Sequence, residues 1–274
     1  MSLSPAKGTV LFLKNKTVPS DPYELQFEKQ GYHTSFIPLL NHEHLNKQDI
    51  CAYLTSAEFL QHTKALIITS QRAVEALDDS LRLLSEKEPH GVLQLILQKP
   101  SYTVGPATAE VLSRIGFSDI RGGIDAGNGS LLADLIIEDK LFSNLSEAEK
   151  KIVFFTGETR KDTLPKKLLA SNFQLKEEVI YRTVTMSDAH ERFKRAFEES
   201  SRFDSRWIIF FSPQGTEIIT KSLLELQDTV QGLNIASIGP TTESYLLDIG
   251  LRPNVVSFKP EALSLLESIN MYGA

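Results

Sequence analysis

The feature of this sequence that most restricts its fold is an internal repeat. The segment TVGPATAE begins at Thr103, and SIGPTTES begins 134 positions later at Ser237. In both segments an apolar run ends in Gly-Pro and passes directly into a helical pattern, which is typical of a strand followed by a helix. A chain that repeats such a unit is expected to build the same α/β element twice.

Two further pairs of segments recur in the same order. VLFLK at Val10 matches IVFFT at Ile152, and ALIITSQRAVEAL at Ala65 matches WIIFFSPQGTEII at Trp207, both with an offset of 142 positions. Three matches in one order indicate a duplication. Two chain orders are compatible with it: consecutive halves, or units in which the first strand-helix-strand segment of each half joins segments of the other half.

Apolar runs rich in Val, Ile and Phe alternate with segments of helical period, which predicts parallel strands joined by crossover helices. The predicted strands are residues 9–13, 33–39, 65–69, 101–104, 151–155, 176–181, 207–211 and 234–238. The predicted helices are residues 22–30, 71–84, 106–115, 131–137, 164–171, 214–226 and 241–249. The fold class is therefore α/β.

Composition limits the classes of function. With 274 residues, 41% of them hydrophobic, the chain can bury one large core or two ordinary ones, and no apolar run approaches the roughly 18 residues of a membrane span. The net charge of −6 argues against nucleic-acid binding, so an acidic ligand needs local recognition. The single cysteine, Cys51, excludes an internal disulfide and predicts a reducing compartment, the cytosol.

Small polar residues follow the predicted strands at five turns: TSQR (69–72), GPAT (105–108), TGETR (156–160), SPQGT (212–216) and GPTT (239–242). In an open parallel sheet, ligands bind beyond the carboxyl ends of the strands. Free amides of a helix's first turn and Ser or Thr hydroxyls suit an acidic ligand there. For any single turn the alternative is an ordinary helix start, since Ser and Thr are common N-caps.

Other signatures of cofactor chemistry are missing from the sequence. No Gly-x-Gly-x-x-Gly follows the first predicted strand, and no Gly-Lys-Ser/Thr phosphate loop occurs. The HEH segment at 42–44 has no third ligand nearby, and we interpret it as a solvated linker, so neither a metal nor a cofactor is expected. Tyr181 ends a predicted strand, where it is either a packing residue or, if it faces the crevice, a neutral proton donor.

Taken together, these motifs resemble the uroporphyrinogen-III synthase family, the cofactor-free enzymes of haem biosynthesis. The resemblance covers most of the chain and depends on LIITSQRAVEAL (66–77), YTVGPATAEVLSRIGF (102–117), TGETRKDTLPKKL (156–168), VIYRT (179–183), IIFFSPQG (208–215) and IGPTT (238–242). It implies two similar α/β domains with parallel sheets flanked by helices, joined by a short two-stranded β ladder. The expected domains are residues 1–40 with 184–274, and 46–178, connected through 40–46 and 178–184.

The resemblance also implies a reaction. The family closes hydroxymethylbilane, a linear tetrapyrrole with eight carboxylates, into uroporphyrinogen III, with loss of water and inversion of ring D through a spiro intermediate. Tyr181 is the residue expected to assist departure of the hydroxyl group. The residues expected to bind the substrate are Ser70, Gly105, Thr108, Thr156, Gly157, Arg160, Ser212, Gly215, Gly239 and Thr241. We expect a cytoplasmic monomer whose partner is this small tetrapyrrole, with neither nucleic acid nor membrane as a partner.

One competing hypothesis belongs to another class. A two-lobed α/β protein that binds an acidic small molecule without transforming it would have the same duplicated units and polar turns. Turnover of the substrate distinguishes the two hypotheses.

Overall fold

The computed structural model describes residues 7–86, 90–226 and 230–273. Their strands are β1 (Gly8–Leu13), β2 (Tyr32–Phe36), β3 (Leu40–His44), β4 (Ala65–Ile68), β5 (Ser101–Val104), β6 (Ile120–Gly123), β7 (Lys151–Gly157), β8 (Gln174–Thr185), β9 (Arg206–Phe210), β10 (Leu233–Ser237) and β11 (Val255–Val256). Their α-helices are α1 (Pro22–Lys29), α2 (Lys47–Leu54), α3 (Gln71–Ser85), α4 (His90–Leu97), α5 (Pro106–Arg114), α6 (Gly129–Glu138), α7 (Thr163–Ala170), α8 (Ala189–Glu199), α9 (Glu217–Leu226), α10 (Pro240–Asp248) and α11 (Ala262–Tyr272). Short helical turns cover Glu58–His62, Lys140–Phe142 and Ser200–Arg202.

The described residues form two compact units. The first unit comprises the described residues of Met1–Asn41 and Val184–Ala274, and the second comprises those of His42–Thr183. The N-terminal segment thus belongs with the C-terminal third of the chain. The domain bounds expected from the resemblance stay a prediction, and residues 1–6, 87–89, 227–229 and 274 within them lie outside the described part.

The two sheets repeat one strand order. In the first unit the order is β11-β10-β9-β1-β2, and in the second it is β3-β8-β7-β4-β5-β6. Apart from β3, each strand of the second sheet has a counterpart in the first, with β4, β5 and β7 at the places of β9, β10 and β1. These are the strands of the three segment pairs matched in sequence. In the second sheet the pairs β4–β5, β4–β7, β5–β6 and β7–β8 all run parallel. The predicted α/β class with two parallel sheets is confirmed.

The core of the second unit lies on both faces of its sheet. Leu66 and Ile68 of β4 pack with α2 and α3 on one face, whereas Ala65 and Ile67 pack with α6 and α7 on the other. All four side chains are fully buried. Because both faces are covered, the strand has a continuous apolar sequence instead of an alternating one.

Two expectations about local structure are corrected. The HEH segment belongs to strand β3, where its side chains are partly buried, and it is not a solvated linker. A polar edge strand lacks the apolar run that identifies a buried strand in a sequence. Strand β8 continues to Thr185, so Tyr181 lies within a strand and not at its end.

No helix among the described ranges is long and apolar enough to span a membrane.

Candidate functional site

A cavity of about 550 Å³ lies at the carboxyl end of the sheet in the second unit. Every residue that lines it belongs to that unit. The lining residues come from the ends of β4, β5 and β7, from the interior of β8 and from three helix starts: Thr69, Ser70, Ala73, Val104, Gly127, Asn128, Gly129, Ser130, Phe154, Phe155, Thr156, Gly157, Thr159, Arg160, Lys161, Thr163, Leu164 and Tyr181. This is the edge of a parallel sheet at which ligands are expected.

The helices α3, α6 and α7 all begin at this cavity. Ser70 is the N-cap of α3, and its Oγ accepts a hydrogen bond of 3.1 Å from the amide of Ala73. Asn128 caps α6, and its side-chain oxygen accepts hydrogen bonds from the amides of Ser130 (2.9 Å) and Leu131 (3.1 Å). The first turns of these helices carry partial positive charge, which favours anions in the cavity.

The charged groups of the lining are cationic. It includes Arg160 and Lys161 but neither Asp nor Glu, although the whole chain has a net charge of −6. The cavity therefore offers a carboxylate ligand donors and positive charge without a like-charged neighbour in its wall.

Arg160 is already engaged within the protein. Its guanidinium forms ion pairs with Glu177 on β8 and with Asp162. The hydrogen bonds to Glu177 and Asp162 raise the pKa of Arg160 above its ordinary value, despite partial burial. Lys161 is exposed and forms no ion pair with any of the described residues, which makes it the available cation of the lining.

Tyr181 reaches the cavity from strand β8, which extends past the end of β7. Its phenolic oxygen accepts a hydrogen bond of 3.2 Å from Ser70 Oγ, and Ser70 Oγ in turn accepts from the amide of Ala73. These donors form a short chain in which each bond strengthens the next. Because the phenol acts as acceptor toward Ser70, its own hydrogen remains available to a ligand.

The neighbouring strand β3 brings His42 next to Tyr181. The two rings form an edge contact with their centroids 6.1 Å apart, and His42 Nδ1 lies 3.1 Å from Thr183 Oγ1. Burial, followed by the positive charge of Arg72, lowers the pKa of His42 below its ordinary value of about 6.5. His42 is therefore neutral at pH 7 and adds no charge beside the phenol.

The other histidine of HEH serves a different contact. His44 Nδ1 lies 2.9 Å from Asp79 Oδ2, which also pairs with Lys47 at 2.9 Å. Within the described ranges, no three His, Cys, Asp or Glu side chains form a group that could hold a metal ion.

The structure brings together five of the eleven residues expected at the site. Those that line the cavity are Ser70, Thr156, Gly157, Arg160 and Tyr181. Gly105 and Thr108 follow β5 but are not part of the lining. Gly105 begins α5 with a positive φ of 74°, a conformation that favours glycine, and Thr108 is only 6% exposed.

The remaining expected residues belong to the first unit, after β9 and β10. Ser212 and Thr241 are exposed. Gly215 is buried, and a β-carbon there would lie 2.6 Å from Leu40 Cδ2, which indicates a packing role. Gly239 has extended backbone with φ 174°, which any residue can adopt.

The lining also contains residues that were not expected from the sequence, among them Asn128, Ser130, Lys161 and Thr163. Asn128 precedes an apolar helical segment, so the N-cap preference of asparagine was a usable signal. Lys161 had no signal beyond its place in TGETRK, because only the folded loop shows that its neighbour Arg160 is occupied.

Comparisons with known proteins agree on one family. The family model for uroporphyrinogen-III synthase HemD matches residues 21–267. The chain is 41% identical over 272 residues to the uroporphyrinogen-III synthase of Saccharomyces cerevisiae, covering 97% of both chains. It is 36% identical over 261 residues to that of Schizosaccharomyces pombe, covering 95% of this chain and 96% of the relative.

Solved structures show the same fold at low sequence identity. A uroporphyrinogen-III synthetase from Helicobacter pylori has a TM-score of 0.54 at 18% identity, covering 96% of this chain and 99% of its own. A mutant uroporphyrinogen III synthase from Thermus thermophilus has a TM-score of 0.50 at 15% identity, covering 97% of this chain and 98% of its own.

Proposed function

This chain belongs to the uroporphyrinogen-III synthase family, and from that premise we propose that the cavity of its second unit holds the reacting end of the substrate. The chain is a hydro-lyase of haem biosynthesis that acts on a tetrapyrrole. Its task is to release the hydroxyl group of hydroxymethylbilane and to close the ring with ring D inverted, through a spiro intermediate.

The observation that carries this proposal is the hydrogen bond from Ser70 to Tyr181 at a cavity whose lining contains no carboxylate. Ser70 donates to the phenolic oxygen, so the Tyr181 hydrogen can be donated to the departing hydroxyl group. Loss of that group as water is assisted by electron donation from the pyrrole nitrogen, so a neutral phenol is a sufficient donor.

Most of the catalytic task is orientation. A flexible bilane closes without inversion unless its last ring is held where the spiro centre can form, so binding of that geometry lowers the barrier to the inverted product. Two features of the cavity support this: the helix starts at Ser70, Asn128 and Thr163, and the exposed ammonium group of Lys161. Each can hold a carboxylate side chain of the substrate.

Arg160 receives a different role in this proposal. Its ion pairs with Glu177 and Asp162 tie the loop after β7 to strand β8 and so support Lys161 next to it. Thr156 contributes a buried hydroxyl at the cavity wall. The remaining expected contacts stay proposals for substrate binding: Gly105, Thr108, Ser212, Gly215, Gly239 and Thr241.

We extend the proposal to the whole chain. The two compact units act as domains with the bounds expected from the sequence, and the connections at 40–46 and 178–184 act as hinges that admit a bulky substrate. The chain crosses between the units at these segments, which supports that role. The protein is proposed to work as a cytoplasmic monomer without nucleic acid as a partner, consistent with its single cysteine and net charge of −6.

The test supplies freshly prepared hydroxymethylbilane to the purified protein and separates the macrocycle isomers by chromatography. The proposal predicts faster ring closure than in buffer and a product dominated by the inverted isomer. A binding protein of the alternative class would leave the spontaneous, uninverted isomer in excess.

A further inference from the structure

The strand pair β7–β8 contains an irregularity beside the catalytic tyrosine. The two strands pair in steady register from Lys151 and Gln174 to Thr156 and Val179, but Gly157 then pairs with Tyr181, so Ile180 is an extra residue. In a regular strand Ile180 and Tyr181 would point to opposite faces. Here both pack against the cluster formed with α2 and α3, because the bulge turns the tyrosine to that side.

The turned ring lies directly against Gly157. A β-carbon on Gly157 would lie 2.6 Å from Tyr181 Cζ, 2.8 Å from its hydroxyl oxygen and 2.9 Å from Cε1. Real β-carbons do not approach other heavy atoms this closely, so any other residue at this position displaces the outer end of the ring. Only the absence of a side chain leaves room for the phenol where Ser70 can reach it.

The backbone does not itself require glycine here. Several glycines of the chain, such as Gly105, have positive φ, but Gly157 is not among them. An alanine could adopt the backbone of Gly157 without strain, so the contact with Tyr181 is the reason for glycine. The atoms in conflict are the far end of one side chain, which can move while the fold persists.

We infer that Gly157 is a positioning residue that sets the place of the Tyr181 hydroxyl. This role deepens the proposed function and rests on it, since it matters for turnover only if Tyr181 takes part in the reaction. It also differs from the direct substrate contact first expected for Gly157. The glycine acts through the tyrosine, and its own contact with the substrate is not needed.

The first experiment compares Gly157→Ala with wild type on hydroxymethylbilane. We expect kcat to fall about tenfold or more, because small displacements of a catalytic group are costly, while KM changes much less. The matched control is Gly91→Ala, an exposed position where a β-carbon meets nothing within 4 Å and which lies outside the cavity. A Gly157→Ala enzyme with wild-type kcat and an undisplaced Tyr181 ring overturns the inference.

A double-mutant cycle of Gly157→Ala and Tyr181→Phe separates an effect of Gly157 on the Tyr181 hydroxyl from a direct contact of Gly157 with the substrate. Once the hydroxyl is gone, the ring that Gly157→Ala displaces no longer carries the proton donor, so we expect little further loss of kcat in the Tyr181→Phe background. An equal fractional loss in both backgrounds would mean that Gly157 acts independently of the hydroxyl, and would overturn the inference.

A spectroscopic measurement keeps the inference separate from the proposed function. With ¹³C-labelled tyrosine, the ring resonance that disappears in Tyr181→Phe belongs to Tyr181, and we expect it to shift in Gly157→Ala but not in Gly91→Ala. A shifted ring with unchanged turnover would overturn the catalytic role of Tyr181 while leaving the placement intact. An unshifted ring contradicts the placement itself.

A further variant covers the case in which Gly157→Ala is too unstable to assay. In Gly157→Ala combined with Tyr181→Leu, the ring atoms that meet the new β-carbon are removed. We expect its melting temperature to return to that of Tyr181→Leu alone. If the melting temperature stayed below that of Tyr181→Leu, the added methyl group would clash with something other than the tyrosine ring, which would contradict the inference.

Discussion

The two units share a strand order and a repeated sequence, but the corresponding strand ends carry different chemistry. In the second unit β7 ends in Thr156 and Gly157, which open onto the cavity. In the first unit β1 is followed at the matching position by Lys14, whose ammonium group pairs with Asp21. One strand end therefore opens onto the candidate site, and the other forms an ion pair within the protein.

The segment that follows β1 at Lys14 is held in place by contacts within the protein. Asp21 is fully buried, begins α1, and also accepts hydrogen bonds of 2.9 Å from the amides of Thr17 and Tyr23. The Lys14 ammonium lies 5.2 Å from the ring centre of Tyr23 and 5.4 Å from that of Phe36. Duplication supplied the same scaffold twice, and the residues at each strand end determine what it does.

Removing the phenol hydroxyl should have the largest effect on the catalytic side of this comparison. In Tyr181→Phe we expect kcat to fall by about 10²-fold or more, because the donor to the departing hydroxyl is lost. The melting temperature should stay near that of wild type, since the ring is kept. Steady-state kinetics and thermal unfolding measure the two effects, and unchanged kcat would exclude Tyr181 from the mechanism.

The structural side of the comparison is tested at Asp21. Asp21→Asn keeps a side-chain oxygen at the start of α1 but removes the charge that pairs with Lys14, so we expect a loss of about 2 kcal/mol in the free energy of unfolding at pH 7. The kcat of the folded variant should remain near wild type. If the variant were as stable as wild type in urea titrations, the ion pair between Asp21 and Lys14 would not stabilise the fold.

The same variant should show a characteristic pH dependence. Burial tends to raise the pKa of Asp21, but the hydrogen bonds from Lys14, Thr17 and Tyr23 outweigh it and hold the pKa below its ordinary value. A lowered carboxyl pKa stabilises the fold above the unfolded pKa of about 3.9, and this contribution is lost as pH falls through the folded pKa. The stability difference between wild type and Asp21→Asn should therefore shrink below about pH 4.

A smaller effect is expected at Lys161, the exposed lysine of the cavity lining. Lys161→Ala should raise KM about three- to fivefold with little change in kcat, since an exposed ion pair contributes about 1 kcal/mol or less. Lys140→Ala, an exposed lysine outside the lining, is the control and should match wild type. An unchanged KM for Lys161→Ala would remove this residue from substrate binding.

Much of the fold could be predicted from the sequence. The continuous apolar runs of β4, β7 and β9 mark strands buried on both faces, and Gly-Pro punctuation marks the starts of α5 and α10. Polar or short strands such as β3 and β11 lack that signal, because their pairing depends on neighbours supplied by the fold.

The candidate site was less predictable, for reasons of tertiary structure. That Tyr181 faces the cavity depends on a bulge at Ile180, and a sequence does not show the register of two strands. The guanidinium of Arg160 forms an ion pair with Glu177, which lies 17 positions further along the chain on β8. Thr108 follows the expected turn, yet α5 buries it.

The most direct test of the account uses the repeat itself. Ser70 and Ser212 occupy matching positions in the ALIITSQ and WIIFFSPQ segments, but among the described residues only Ser70 donates to Tyr181, the proposed catalytic residue. The measurement is kcat for Ser70→Gly and Ser212→Gly on hydroxymethylbilane, glycine being chosen because it costs a helix N-cap only a few tenths of a kcal/mol. We predict a roughly tenfold lower kcat for Ser70→Gly and an effect confined to KM for Ser212→Gly. An equal or larger loss of kcat in Ser212→Gly would contradict the assignment of the chemistry to the second unit.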